Sequence, residues 1–130
     1  MLHRFITLTE IDMLAYWVLA AVLVIGLIHI PPEYMYSDYE NPLVVAWNWS
    51  FFPIDIVFVI CGLWARFGGL RPPLPRHLSL IGATLMFCAG TMAISFWSIT
   101  GEFEPLWWGM NLWLVVLVLW AIKSSLTEKA

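Results

Sequence analysis

The chain has 130 residues, 62% of them hydrophobic and only 12% charged, with a net charge of -3. Soluble domains average about 25% charged residues, so this composition and a mean hydropathy of +0.83 exclude an ordinary soluble domain. The basic residues form no helix-face cluster, which argues against a nucleic-acid partner.

One transmembrane domain over residues 1–130 is expected, all-α and built from four apolar helices. The first is expected from about Ile11 to Ile30. Thr7 or Thr9 would cap it and Pro31-Pro32 would stop it. No A-x-A-like site follows it, so it reads as an uncleaved helix and not a signal peptide. The next loop, residues 31–42, carries Tyr34, Tyr36 and Tyr39, which suit a membrane interface. The second helix is expected from about Val44 to Arg66, ended by Gly68-Gly69. A joint stiffened by Pro72, Pro73 and Pro75 leads to a third helix over about Leu78 to Trp97. The fourth, about Pro105 to Ile122, reads as the shortest, and so as upright or in thinned bilayer. The short link before it makes the third and fourth helices antiparallel neighbours.

Charge orients these helices. Arg4 precedes the first, Arg66, Arg71 and Arg76 lie at the joint between the second and third, and Lys123 and Lys129 follow the fourth. The other two loops hold no Lys or Arg and carry Glu33, Asp38, Glu40, Glu102 and Glu104. Positive residues collect on the cytoplasmic side. The expected architecture is an integral membrane four-helix bundle with both termini in the cytoplasm.

Asp55 is the sharpest chemical feature. From a helix start near Val44 it lies about 16 Å down, at the bilayer midplane. A bare carboxylate there costs at least about 2.5–3.5 kcal/mol, so a protonated or hydrogen-bonded acid is expected. At about 100° per residue, Asn48, Phe51, Asp55, Gly62 and Arg66 share one stripe that should face the bundle. Pro53 beside it frees the carbonyl of Trp49. Such an acid either binds a proton or ligand, or simply bridges helices.

Asn48 and Asn111 fall about 6 and 9 Å below the outer face by the same helical rise. Ser95 and Ser98 reach a similar layer, with Trp47, Trp49, Trp97, Trp107, Trp108 and Trp113 around it in depth. One reading is an aromatic-walled pocket with a few polar anchors. The other is an interfacial aromatic belt with an Asn–Asn bridge. Nine tryptophans exceed what a belt needs. The candidate ligand-binding set is therefore Asp55, Asn48, Asn111, Trp49, Trp97 and Trp108.

Other features read as structural. Asp12 is expected in the first turn of the first helix, where an acid suits the helix dipole and could pair with Arg66; Glu10 is expected to be solvated. Gly82, Gly90 and Ala93 with Ser79 suit close helix packing. At Gly90 either the helices touch or a cavity surrounds the acid. Cys61 and Cys88 form no C-x-x-C and read as small hydrophobes. His3, His29 and His77 lack metal-ligand spacing, and no nucleotide or hydrolase motif occurs. No metal, cofactor or catalytic residue is assigned.

The run Trp47-Asn48-Trp49-Ser50-Phe51-Phe52-Pro53-Ile54-Asp55, with Asp12-x-x-x-Tyr16-Trp17 and Asn41-Pro42 upstream, resembles the YvaD-like family of small bacterial membrane proteins. The resemblance covers most of the chain. It implies a four-helix protein of a bacterial plasma membrane, and it implies no activity and no role for Asp55 or Asn48.

Two function classes lead. The first is binding or transport of a small or amphiphilic ligand around Asp55. Small multidrug transporters share the size and the intramembrane acid, but carry that acid in the first helix and a weaker charge bias. An antiparallel dual-topology dimer is therefore disfavoured. The alternative is an accessory subunit for a partner membrane protein, with polar residues setting helix register. An enzyme acting on a lipid is the weakest reading, because no nucleophile or metal site accompanies Asp55.

Overall fold

The computed structural model describes residues 1–34 and 36–127; Lys129 of the charge pattern lies outside them. It contains four long helices, α1 Leu2–Val24, α2 Pro42–Phe67, α3 Leu74–Thr100 and α4 Pro105–Thr127, with a short 3-10 turn at Pro32–Tyr34. All four are long and apolar enough to cross a membrane.

α1 departs most from expectation. It begins at Leu2, nine residues before the expected start at Ile11. The Thr7 and Thr9 hydroxyls are not caps. They donate to the carbonyls of His3 and Phe5, one turn back, at 2.8 Å each. Back-bonding of this kind lets Thr sit inside a helix. The helix also ends earlier, before Pro31-Pro32. Gly26 takes the left-handed conformation at φ 76°. Leu27 N–H donates to Val22 O and Gly26 N–H to Leu23 O, the two bonds of a Schellman stop.

α2 and α4 are capped at their starts as their flanking residues dictate. Asn41 accepts the Leu43 N–H at 3.0 Å, with Pro42 at the first helical position of α2. Glu104 accepts the Trp107 N–H at 2.8 Å at the head of α4. Pro53 lies within α2 without ending it. α4 runs to Thr127 and has 23 residues, so it shares the shortest length with α1, against 26 in α2 and 27 in α3.

Neighbours in sequence are neighbours in space. α2 packs most extensively on α3, α3 on α4, and α4 closes the ring on α1. α1 faces α3 across one diagonal and α2 faces α4 across the other. The core is a mid-height layer of Phe58, Val59, Met86, Ala89, Leu114, Leu117 and Val118. α3 reaches both its neighbours through glycines. A Cβ on Gly82 would lie 3.2 Å from Phe58 O, and one on Gly90 would lie 2.7 Å from Asn111 O. The helices therefore touch at Gly90, and α4 is the one touched. The outward faces are apolar: Leu43, Leu80, Ile99 and Val116 are exposed. That inversion suits a hydrocarbon solvent.

Candidate functional site

Asp55 lies 13 residues into α2, about 20 Å from its start, and Trp17 lies 15 residues into α1, about 22 Å from its start. The antiparallel pair brings them to one level. Trp17 Nε1 donates to Asp55 Oδ2 at 2.9 Å. Both residues are buried, at 2% and 4% exposure. The second carboxyl oxygen, Oδ1, is buried and has no hydrogen-bond partner. Next to Trp17 on α1, the Tyr16 hydroxyl sits near Asn48, Tyr36 and Asp55, yet it too is buried without a bond of good geometry. Burial of Tyr36, in the loop between α1 and α2, raises its hydroxyl pKa above the ordinary value.

These groups border a cavity of about 40 Å³. One water needs roughly 10–15 Å³ on such a measure. Trp47, Trp97 and Trp107 form its aromatic wall, with Asn48 and Asn111 on its rim. Tyr16 meets Trp107 edge to face at 5.7 Å, and Trp47 meets Trp97 likewise at 5.6 Å. Edge-to-face pairs are preferred aromatic geometries, so the wall is held by its own contacts.

Of the six sequence candidates, Asp55, Asn48, Asn111 and Trp97 border this one cavity. Trp49 and Trp108 do not. Trp49 packs behind Trp17 at 5.4 Å and faces a separate cleft with Ala20, Leu23 and His29. Trp108 turns to the loop, donating to Glu102 O at 3.3 Å and packing on Phe103. The Asn–Asn bridge is not formed among the described residues: Asn111 Nδ2 donates to Trp107 O on its own helix at 2.8 Å. Ser95 and Ser98 are exposed, and Ser98 bonds Ile94 O. Trp113 belongs to the other half of the bundle, where its Nε1 donates to Thr9 Oγ1 at 2.9 Å.

Tyr16 and Trp17 were missing from the candidate set because of the late start expected for α1. A helix from Ile11 puts them near the cytoplasmic face; a helix from Leu2 puts them beside Asp55. The same shift reassigns the acids. Glu10 is 2% exposed and pairs with Arg66, against the expectation that it is solvated. Asp12 is exposed, lies mid-helix and does not take Arg66. The two positions differ by about 200° around the helix, so only one can share the inward stripe of Met13, Trp17 and Ala20. Cys61 and Cys88 are free thiols. Among the described residues no three His, Cys, Asp or Glu side chains could hold a metal.

Comparison with known proteins places this architecture. No solved structure matches the chain. The "Uncharacterized protein YvaD" of Bacillus subtilis (strain 168) is 32% identical over 125 residues, covering 95% of this chain and 90% of that protein. Residues 2–130 match the family of unknown function DUF5360. The four-helix chain with its Trp17–Asp55 pair is therefore a member of the DUF5360 family.

Proposed function

We propose that this is a multi-pass protein of the bacterial plasma membrane, with both termini cytoplasmic, that binds a compact organic cation or the cationic head of an amphiphile at Asp55. The observation that carries this reading is the bare Asp55 Oδ1, buried beside a cavity. An unsatisfied buried acceptor costs about 1–3 kcal/mol, and a positive or donor-bearing ligand recovers that cost. The walls agree in sign. Trp47, Trp97 and Trp107 line the cavity, and indole rings attract cations; among the described residues no Lys or Arg borders it.

The test is titration of the detergent-purified protein with tetramethylammonium, followed by tryptophan fluorescence. Hexyltrimethylammonium extends the series and neutral tert-butanol is the control. The cations should saturate and the alcohol should not, and Asp55→Asn should weaken cation binding by about tenfold or more, the value of a hydrogen bond or ion contact to a charged group. Equal binding by wild type and Asp55→Asn ends this reading.

A second reading, an accessory subunit, rests on Asp12. Its exposed carboxyl lies about 15 Å along α1 from Leu2, among apolar neighbours, where a lone acid is costly in lipid. A partner helix offering a donor would cover it. Photo-crosslinking from Ala15 in native membranes tests this. A single crosslinked partner that disappears in Asp12→Leu favours the subunit reading; a monomer in both forms rejects it.

A further inference from the structure

Beneath the Asp55 cavity lies a second one, of about 300 Å³, enclosed by all four helices at the Arg66 end of the bundle. Its size reaches the range of small-molecule sites, about 300–1,000 Å³. Glu10 and Arg66 stand in it, with Ser79 and Ser124 on its walls. The Glu10 carboxylate has a built seat. Gly62 lies against it, and a Cβ at position 62 would overlap Glu10 Oε1. Gly82 keeps α3 close behind, 3.5 Å from Gly62 N by the same test. Arg66 is held less completely. One of its nitrogens meets Glu10 Oε2, while its buried Nε has no partner. A fully engaged arginine–carboxylate pair is usually bidentate.

The two cavities are separated by one layer of side chains. Ala89 and Leu114 border the outer cavity; Met86 and Leu117, each three residues away along its helix, border the inner one. Three residues rise about 4.5 Å. Phe58 and Leu117 in that layer are fully buried, and Met86 is 2% exposed. Met is unbranched and adaptable, which suits a yielding plug. From Asp55 to Gly62, where Glu10 sits, α2 descends about 10 Å.

From this geometry we infer that Glu10 is the inner station of a translocation route for the same cation, with Asp55 as the outer station and the Phe58–Met86–Leu117 layer as the barrier between them. The inference rests on the cation-binding reading of Asp55. A cation crossing the layer meets Glu10 and displaces Arg66, which swings toward the cavity mouth. When the cation leaves for the cytoplasm, Arg66 re-pairs with Glu10 and resets the seat. The net charge of the inner cavity rises by one while the cation is held there and returns when it leaves. Arg66 thus acts as a tethered competitor.

The test uses the full chain in liposomes with an inside-negative potential, and radiolabelled tetramethylammonium as the permeant. This cation cannot lose a proton and leak as a neutral amine. Fluorescence binding is measured on the same preparations. Wild type should take up the cation saturably. Glu10→Gln should bind it at Asp55 within about twofold of wild type and lose about tenfold or more of the uptake, since the charged contact is removed only at the inner station. Because Glu10→Gln strands Arg66, the double variant Glu10→Gln/Arg66→Met is the companion. It removes both charges and should behave as Glu10→Gln does. Binding by wild type without uptake overturns the route and leaves the binding site standing. Uptake by the double variant at the wild-type rate also overturns it, leaving Glu10–Arg66 as a structural pair. Loss of cation binding in wild type itself would remove the Asp55 reading and the route with it.

Discussion

Trp17 gives its single N–H to one oxygen of Asp55 and leaves the other bare. The tryptophan is a donor only, so it satisfies one oxygen of the buried acid and can do nothing for the other. Its ring is itself held by Tyr16 at 5.1 Å, Trp49 at 5.4 Å and Phe52 at 5.2 Å. The acid is thus held by α1, while the cavity it borders is lined from α3 and α4 as well.

Trp17→Phe removes that donor and keeps most of the ring. Both Asp55 oxygens are then buried without a partner, and the loss should be about 1–3 kcal/mol of stability. Thermal melts in detergent measure it. In Asp55→Leu the acid is gone, so the further change Trp17→Phe should cost much less. Equal costs in the two backgrounds would show that the hydrogen bond contributes nothing.

At Gly90 the backbones of α3 and α4 approach closely. Its missing Cβ faces Asn111 O and the side chains of Leu114 and Val115. Gly90→Leu must push α4 away and should destabilise by about 1–3 kcal/mol or more. Leu117→Ala empties a fully buried position and by the cavity relation should cost about 2–5 kcal/mol. The two differ in kind. Gly90→Leu should also disturb the nearby Asn111 rim and weaken cation binding, whereas Leu117→Ala should leave the outer cavity intact. Normal melting and normal binding in Gly90→Leu would mean that this contact is loose.

Much of the bundle is written in composition. Four apolar runs separated by Pro, Gly and acidic residues give four helices, and the inward stripe of Asn48, Asp55 and Gly62 follows from 100° steps alone. α1 was harder to read because its first nine residues mix His, Arg, Thr and Glu, which look like a solvated leader. Their helix depends on Thr back-bonding and on packing of Phe5 against Trp113 and Trp120, contacts with residues more than 100 positions away. Once the start moves, everything keyed to depth moves with it: Tyr16 and Trp17 join Asp55, and Glu10 replaces Asp12 as the buried acid. The tryptophans show the opposite limit. Depth placed Trp49 and Trp108 beside the site, but their rotation about the helix axis points them elsewhere.

The positions of the cations predict an orientation. Arg66, Arg71 and Arg76 stand at or beyond the facing ends of α2 and α3, and Lys123 lies in the last turns of α4. The outer loop and the turn near Gly101 carry only acids among their charged residues. Reporter fusions after Lys123 should read cytoplasmic and fusions near Tyr36 exterior. Exterior readings at the C-terminus, or equal populations of both, would sink the single orientation and with it the assignment of the Asp55 cavity as outward.

The Glu10–Arg66 pair predicts a strongly non-additive cycle. Glu10→Ala leaves a mostly buried guanidinium without its counter-charge, a loss of about 3–5 kcal/mol for fully buried pairs. Arg66 is 18% exposed and can lean to the cavity mouth, so the lower end of that range is expected. Arg66→Met strands Glu10, which is 3% exposed in its side chain and has no such escape. It should cost more than Glu10→Ala. Replacing both, as Glu10→Ala/Arg66→Met, removes the unpaired charge and should recover much of the stability. Gly62→Val approaches the same state from the other side, because its added methyls occupy the space of the carboxylate. It should destabilise the wild-type pair more than it does in a Glu10→Ala background, where the seat is empty. Thermal melts of all the variants in one detergent give the cycle. Additive losses across Glu10 and Arg66, or an equal cost of Gly62→Val in both backgrounds, would show that the carboxylate does not occupy that seat.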